Sequence, residues 1–213
     1  MTDTTVVHLL RHGEVHNPQG VLYGRLPGYH LSENGRAMAE VVAKALAGRD
    51  VVALFSSPLE RAQETAAPVA QAFDLEIRTD ERLTEAANVF QGVVLGGMFR
   101  VPASYRHLWN PARPSWGEPY IDVVQRMRSA VVTARAAARG HEVVLVSHQL
   151  PIWILRLAAE RRRLWHDPRR RQCGLASLTT LTFEDDRLAS VGYSEPAGAL
   201  IKPPKLHKTT RRR

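Results

Sequence analysis

The chain has 213 residues, 44% of them hydrophobic and 23% charged, the balance of a folded globular protein and not of a disordered one. It has no apolar run of the ~18 residues a membrane-spanning helix needs, and Met1–Thr5 lacks the basic start of a secretory leader. One cysteine, Cys173, excludes an internal disulfide and a cysteine-based zinc site, so the cytoplasm is the expected compartment. Of 29 basic and 21 acidic residues, six basic and no acidic ones fall in 202–213, which leaves residues 1–201 a net charge of only +2. The expected organisation is therefore one domain over 1–201 and a disordered basic tail over 202–213. Nucleic-acid binding through that tail is a minor alternative.

In chain order, Val6–Leu10 is a short β-rich apolar run and reads as a buried strand. The Gly- and Pro-rich stretch 13–28 is loop. Ser32-Glu33-Asn34-Gly35 opens a helix whose Met38, Val41, Val42, Ala45 and Leu46 share one face, and Gly48 closes it. Val51–Phe55 is a second strand. Ser57-Pro58-Leu59-Glu60 predicts a helix capped by Ser57 with Pro58 in its first turn, followed by the stripe Ala62, Thr65, Ala66, Val69, Ala70 and Phe73. Leu75–Arg78 is a third strand. Residues 86–118, with Gly96-Gly97 and several prolines, form an excursion from the core.

A long helix follows over Tyr120–Arg139, ended by Gly140, and then the strand Val143–Val146. Leu150, Trp153, Ile154 and Leu157 lie at helical spacing. The clusters Arg161–Arg163 and Arg169–Arg171 either contact an anionic substrate or form a solvated loop, and the loop is the preferred reading. Ser177–Phe183 and Arg187–Tyr193 alternate around Glu184-Asp185-Asp186, a hairpin.

Alternating strands and helices predict an α/β fold with a mostly parallel sheet, and such sheets bind ligands beyond the carboxyl ends of their strands. Arg11-His12 follows the first strand, Ser56-Ser57 and Arg61 the second, Glu85 the third, and Ser147-His148 the Val143 strand. Four polar groups thus converge on one edge. Two arginines match the oxygens of a phosphate ester, and a protonated His148 would add a third cationic donor. Neutral His12 is suited to nucleophilic attack if its other ring nitrogen is tied to a backbone carbonyl, a turn Gly13 favours. Glu85 is the candidate acid for the leaving group and base for water. His8, alternating within its strand, is structural. His12 and His16 lie in a loop, so the spacing of four does not make a helical metal pair, and no metal is expected.

Leu9-Leu10-Arg11-His12-Gly13-Glu14, Leu31-Ser32-Glu33-Asn34-Gly35-Arg36, Ser56 through Ala66, Leu83-Thr84-Glu85, Gly117-Glu118-Pro119 and Val146-Ser147-His148 stand in order along the chain. Together they resemble the histidine phosphatase superfamily, the phosphoglycerate mutase-like proteins, over about residues 6–193. The resemblance implies a three-layer α/β/α sandwich, a small phosphorylated substrate, and neither metal nor organic cofactor. It implies His12 as nucleophile, Arg11, Arg61 and His148 as phosphate ligands, and Glu85 as proton donor. Asn17, one residue closer to the histidine than in the longer family motif, joins Tyr23, Arg25 and Gln149 as expected substrate contacts. Ala86-Ala87-Asn88 and Gln149-Leu150-Pro151 depart from glycine-containing family patterns on the substrate side. The Glu-Arg-His-Tyr-Gly stretch of the mutases is missing, so a phosphatase is expected, with phosphoglycerate mutase as the alternative. Arg100, Arg106 and Arg113 could bind a second anionic group, and Phe90, Phe99, Tyr105, Trp109 and Trp116 form either a lid over an apolar substrate portion or the packing of the excursion itself.

Overall fold

A computed structural model describes residues 3–94 and 117–201. The tail 202–213 and the excursion's Arg100, Arg106, Arg113, Phe99, Tyr105, Trp109 and Trp116 lie outside the described residues.

The chain order is β1 (Thr4–Arg11), α1 (Glu33–Leu46), β2 (Val51–Ser56), α2 (Glu60–Phe73), β3 (Ile77–Thr79), α3 (Tyr120–Ala137), β4 (Glu142–Ser147), α4 (Gln149–Ala159), β5 (Leu178–Glu184) and β6 (Arg187–Ser194). The six strands form one sheet in the order β3-β2-β4-β1-β5-β6. β1, β2, β3 and β4 run parallel, whereas β5 returns antiparallel on β1 and pairs with β6 as the expected hairpin. The central strands are apolar on both faces because helices cover both. Leu10, Leu54, Val144 and Val146 pack with α1 and α2 on one side. Val7, Leu9, Phe55, Val143 and Leu145 pack with α3 and α4 on the other. This is the predicted α/β/α sandwich.

Several boundaries differ from the sequence expectation. α2 begins at Glu60 with Leu59 at its N-cap position, so Pro58 lies before the helix and Ser57 does not cap it. Ser57 is drawn instead to His148, as described below. The third strand is only Ile77–Thr79, because Asp74, in the left-handed conformation, and Leu75 are spent turning the chain out of α2. α3 ends at Ala137, two residues early.

His8 is buried in β1 and bonds Thr180 Oγ1 at 3.0 Å and Glu142 Oε2 at 2.8 Å, a structural role as expected. Among the described residues no helix is long and apolar enough to cross a membrane.

Candidate active site

The parallel register brings the expected residues together. Arg11 pairs with Ser147 across β1 and β4, and Ser56 with Val146 across β2 and β4. The ladder continues one step past each strand: His12 N–H donates to the Ser147 carbonyl at 3.1 Å and Ser57 N–H to the Val146 carbonyl at 2.9 Å. His12, Ser57 and His148 are thereby fixed side by side at the carboxyl edge of the sheet, with the His12 and His148 rings 5.1 Å apart.

Two glycines allow the loop after β1 to lie against α1. A Cβ on Gly35 would stand 2.0 Å from the Glu14 carbonyl oxygen, and one on Gly13 would stand 2.5 Å from that of Gly35. The need for glycine here is close backbone approach. Glu14 locks the approach by accepting from Ser32 Oγ at 2.7 Å and Asn34 Nδ2 at 3.1 Å, while Ser32 caps α1.

His12 is 2% exposed, and its Nδ1 lies 2.8 Å from the Gly13 carbonyl oxygen. A carbonyl can only accept, so the ring proton is on Nδ1 and Nε2 keeps its lone pair. Burial, then the charges of Arg11 and Arg61, hold the His12 pKa well below 6.5, so the ring is neutral near pH 7. His148 is fully buried, with Nε2 2.8 Å from Ser57 Oγ and Nδ1 unpartnered. Burial, His12 and the nearby arginines hold its pKa well below 6.5 as well. The condition under which His148 would be a cationic donor is thus opposed by its burial in the free protein.

Arg61 is fully buried, not on a helix surface. One Nη2–H donates to the Gly24 carbonyl at 2.6 Å, and the guanidinium lies 4.8 Å from the Tyr23 ring centre. Arg11 donates through Nη1 to the Cys173 carbonyl at 2.6 Å. Eight buried side-chain nitrogen and oxygen atoms lack a partner among the described residues, and four of them are Arg11 Nε, Arg61 Nε, Arg61 Nη1 and His148 Nδ1. Buried donors are ordinarily satisfied, so such a concentration is an anion-receiving arrangement.

A cleft of about 310 Å³ opens at this edge. Arg11, His12, Asn17, Tyr23, Glu85, Gln149 and Arg171 line it together with Glu118 and Tyr120. Glu85 accepts from its neighbour Ala86 N–H through Oε1 at 2.9 Å. Burial raises its pKa against the pull of that bond and of Arg61, Arg11 and Arg171. Asn17 bonds Val21 through both ends of its amide, at 2.8 and 3.0 Å, and so shapes the loop over the cleft. Arg25 sits at the rim, donating to the Glu85 carbonyl at 2.5 Å and to Glu118 at 3.0 Å. Gln149 reaches the Cys173 carbonyl at 3.4 Å. The excursion leaves and returns through this wall, where Asn88 pairs with Gly117 and Glu118 N–H donates to the Ala87 carbonyl.

Sequence reasoning missed three residues. Thr65, read as part of an apolar stripe, accepts from Gly13 N–H at 3.1 Å and donates to the Arg61 carbonyl at 2.6 Å. Ser57 bonds His148. Arg171, for which a solvated loop was preferred to an anion contact, lines the cleft instead. Among the described residues no group of His, Cys, Asp and Glu side chains is placed to hold a metal ion.

Comparison with known proteins matches this architecture. A sequence model of the histidine phosphatase superfamily, branch 1, matches residues 7–196. Uncharacterized protein Rv0525 of Mycobacterium tuberculosis is 58% identical over 200 residues, 92% of this chain and 99% of the relative. The solved mycobacterial glucosyl-3-phosphoglycerate phosphatase is 30% identical with a TM-score of 0.71, over 84% of this chain and 90% of that one. A phosphoglycerate mutase from Bacillus anthracis, 20% identical over 93% of this chain and 96% of its own, shares the fold with a TM-score of 0.72. The chain belongs to the histidine phosphatase superfamily, branch 1, whose relatives are phosphatases and mutases.

Proposed function

We propose that the chain hydrolyses phosphomonoesters through a phosphohistidine on His12. The observation that carries this reading is the set of unpartnered buried nitrogens on Arg11, Arg61 and His148 around a neutral imidazole tied by Nδ1 to Gly13.

In the first half-reaction the His12 Nε2 lone pair attacks phosphorus as the P–O ester bond breaks. The Arg11 and Arg61 guanidinium groups hold the equatorial oxygens, where transition-state charge resides. His148 takes up a proton or donates from Nδ1 as the dianion replaces its dry surroundings. Glu85, whose carboxyl burial shifts toward the protonated form, gives its proton to the leaving alkoxide. In the second half, Glu85 removes a proton from water, whose oxygen attacks phosphorus. The P–N bond then breaks, and neutral His12 and inorganic phosphate result. Throughout, Nδ1–H remains on the Gly13 carbonyl, which fixes the ring and disperses the positive charge of the phosphorylated imidazole.

Hydrolysis is preferred to mutase transfer because the sequence lacks the Glu-Arg-His-Tyr-Gly stretch of the mutases. The test is steady-state hydrolysis of p-nitrophenyl phosphate by the native protein and by His12→Ala. Loss of at least a thousandfold in kcat/KM is expected, and turnover retained by the variant sinks the proposal. Conversion of 3-phosphoglycerate to 2-phosphoglycerate with a bisphosphate primer, faster than its hydrolysis, reverses the preference.

A further inference from the structure

Resting on the phosphatase reading, in which Glu85 is general acid and base, we infer that Glu118 is the residue that positions Glu85, acting through Arg25, Arg126 and its own backbone.

The Glu85 side chain does not fix its own place. Among the described residues its carboxyl bonds nothing but the N–H of its neighbour Ala86, at 2.9 Å. The backbone that carries it is irregular: a one-turn 3₁₀ helix, Glu81–Leu83, is followed by residues 84–87 in neither helix nor strand. Without a ladder of its own, such a segment is held by whatever pairs its backbone polar groups. Four of its carbonyls are taken from outside. Arg126 Nη1 donates to that of Arg82 at 2.5 Å, and Ser147 Oγ to that of Leu83 at 2.6 Å. Arg25 Nε donates to that of Glu85 at 2.5 Å, and Glu118 N–H to that of Ala87 at 3.1 Å.

Three of these four bonds lead to Glu118. Arg126 Nε donates to its Oε1 at 2.7 Å, and Arg126 Nη2 to its Oε2 at 3.1 Å. Arg25 Nη2 donates to the same Oε2 at 3.0 Å. One carboxylate therefore aims two guanidinium groups, one from α3 and one from the loop after β1, and each spends another N–H on the Glu85 segment. Charge-assisted, two-point bonds of this kind fix geometry as well as adding energy. Gly117 brings the clamp close: a Cβ there would stand 2.4 Å from the Ala87 carbonyl oxygen. The clamp is also shielded, with the Glu118 and Arg126 side chains 15% and 17% exposed. Arg126 does not line the cleft, so its influence on the reaction runs through what it holds.

A carboxylate that only neutralised two arginines would, on removal, slow every substrate alike. One that places a general acid slows the substrates that need the acid. Glu118→Gln, Glu118→Asp and Arg126→Gln are therefore compared with the native protein in kcat/KM for glycerol 3-phosphate, whose leaving alkoxide needs a proton, and for p-nitrophenyl phosphate, whose leaving group does not. Glu118→Gln and Arg126→Gln should each lose about ten- to a hundredfold on glycerol 3-phosphate, the cost of a misplaced reacting group, and change little on p-nitrophenyl phosphate. Glu118→Asp, which keeps the charge, should recover part of the loss. In a Glu85→Gln background the Glu118→Gln loss should disappear, because no acid is left to place. No loss, equal losses on both probes, or a Glu118→Gln loss undiminished without Glu85 overturns the inference while leaving His12 chemistry intact. Amide hydrogen exchange adds a readout that needs no turnover. Residues 82–88 should exchange at least about tenfold faster in Glu118→Gln, with β1 and β4 unchanged, and native protection there also overturns the inference. Turnover that survives His12→Ala defeats the phosphatase reading instead, and the exchange rates still decide whether Glu118 holds the segment.

Discussion

Thr65→Val tests how α2 and the loop after β1 are coupled. The substitution keeps the shape of a side chain with no exposed surface and removes its hydroxyl. The Arg61 carbonyl keeps its place within α2, but the Gly13 N–H loses its acceptor in a site water does not reach. An orphaned buried donor costs about 1–3 kcal/mol, so the urea midpoint should fall with an unchanged slope. The functional loss should follow from geometry, because the Gly13 carbonyl holds His12 Nδ1. A displaced reacting group costs up to about 100-fold, and kcat/KM for p-nitrophenyl phosphate should drop about ten- to a hundredfold. Thr65→Ser, which keeps both hydrogen bonds, should recover most of the activity. A valine variant within about 0.5 kcal/mol of the native stability and with native kcat/KM refutes the coupling.

Glu85→Gln should slow hydrolysis of alkyl phosphates by about 10²–10⁴. It should affect kcat/KM for p-nitrophenyl phosphate, which reports the first half-reaction, much less, since that leaving group needs no proton; equal losses in kcat/KM contradict the role of general acid. The native kcat/KM should decline on the alkaline side as Glu85 ionises, and that limb should vanish in Glu85→Gln. Gly35→Ala, whose Cβ would meet backbone at 2.0 Å, should destabilise the fold by about 1–3 kcal/mol or more, seen as a lower melting temperature. Folded His12 and His148 titrate well below 6.5, so the unfolded chain binds protons that the folded one does not. The stability they contribute is complete above the unfolded pKa and is lost as pH falls from about 6.5 toward the folded values. Urea midpoints should therefore drop between neutral and mildly acidic buffer, and less steeply in His148→Gln; an unchanged slope contradicts neutral burial.

Much of this architecture was legible in the sequence, and the exceptions share a physical cause. β1, β2 and β4 stand out because strands covered on both faces are continuous apolar runs, and the residues just after them converge by topology alone. Arg11, His12, Arg61, Glu85 and His148 were grouped as candidates in that way. Arg171 was not, because three adjacent arginines look alike in composition. Only the acceptor on His166, held by Tyr120 and Trp153 from other elements, selects the one that turns inward. The Trp165-His166 pair between two arginine runs was the one local signal. Ser57 was misread for a related reason. A serine before proline and glutamate is a good local cap, but a histidine 91 residues away along the chain competes for its hydroxyl and holds it. Thr65 fits an apolar stripe by spacing, and nothing local says that its hydroxyl meets Gly13.

Phosphoryl transfer to His12 is tested most directly by trapping it. Native protein and Glu85→Gln would be mixed with substrate carrying a labelled phosphoryl group, quenched in alkali and mapped by peptide mass spectrometry. The account predicts an acid-labile, base-stable phosphoryl group on His12, more abundant in Glu85→Gln than in the native protein and missing from His12→Ala. Label on any other side chain, or steady turnover by His12→Ala, would contradict it.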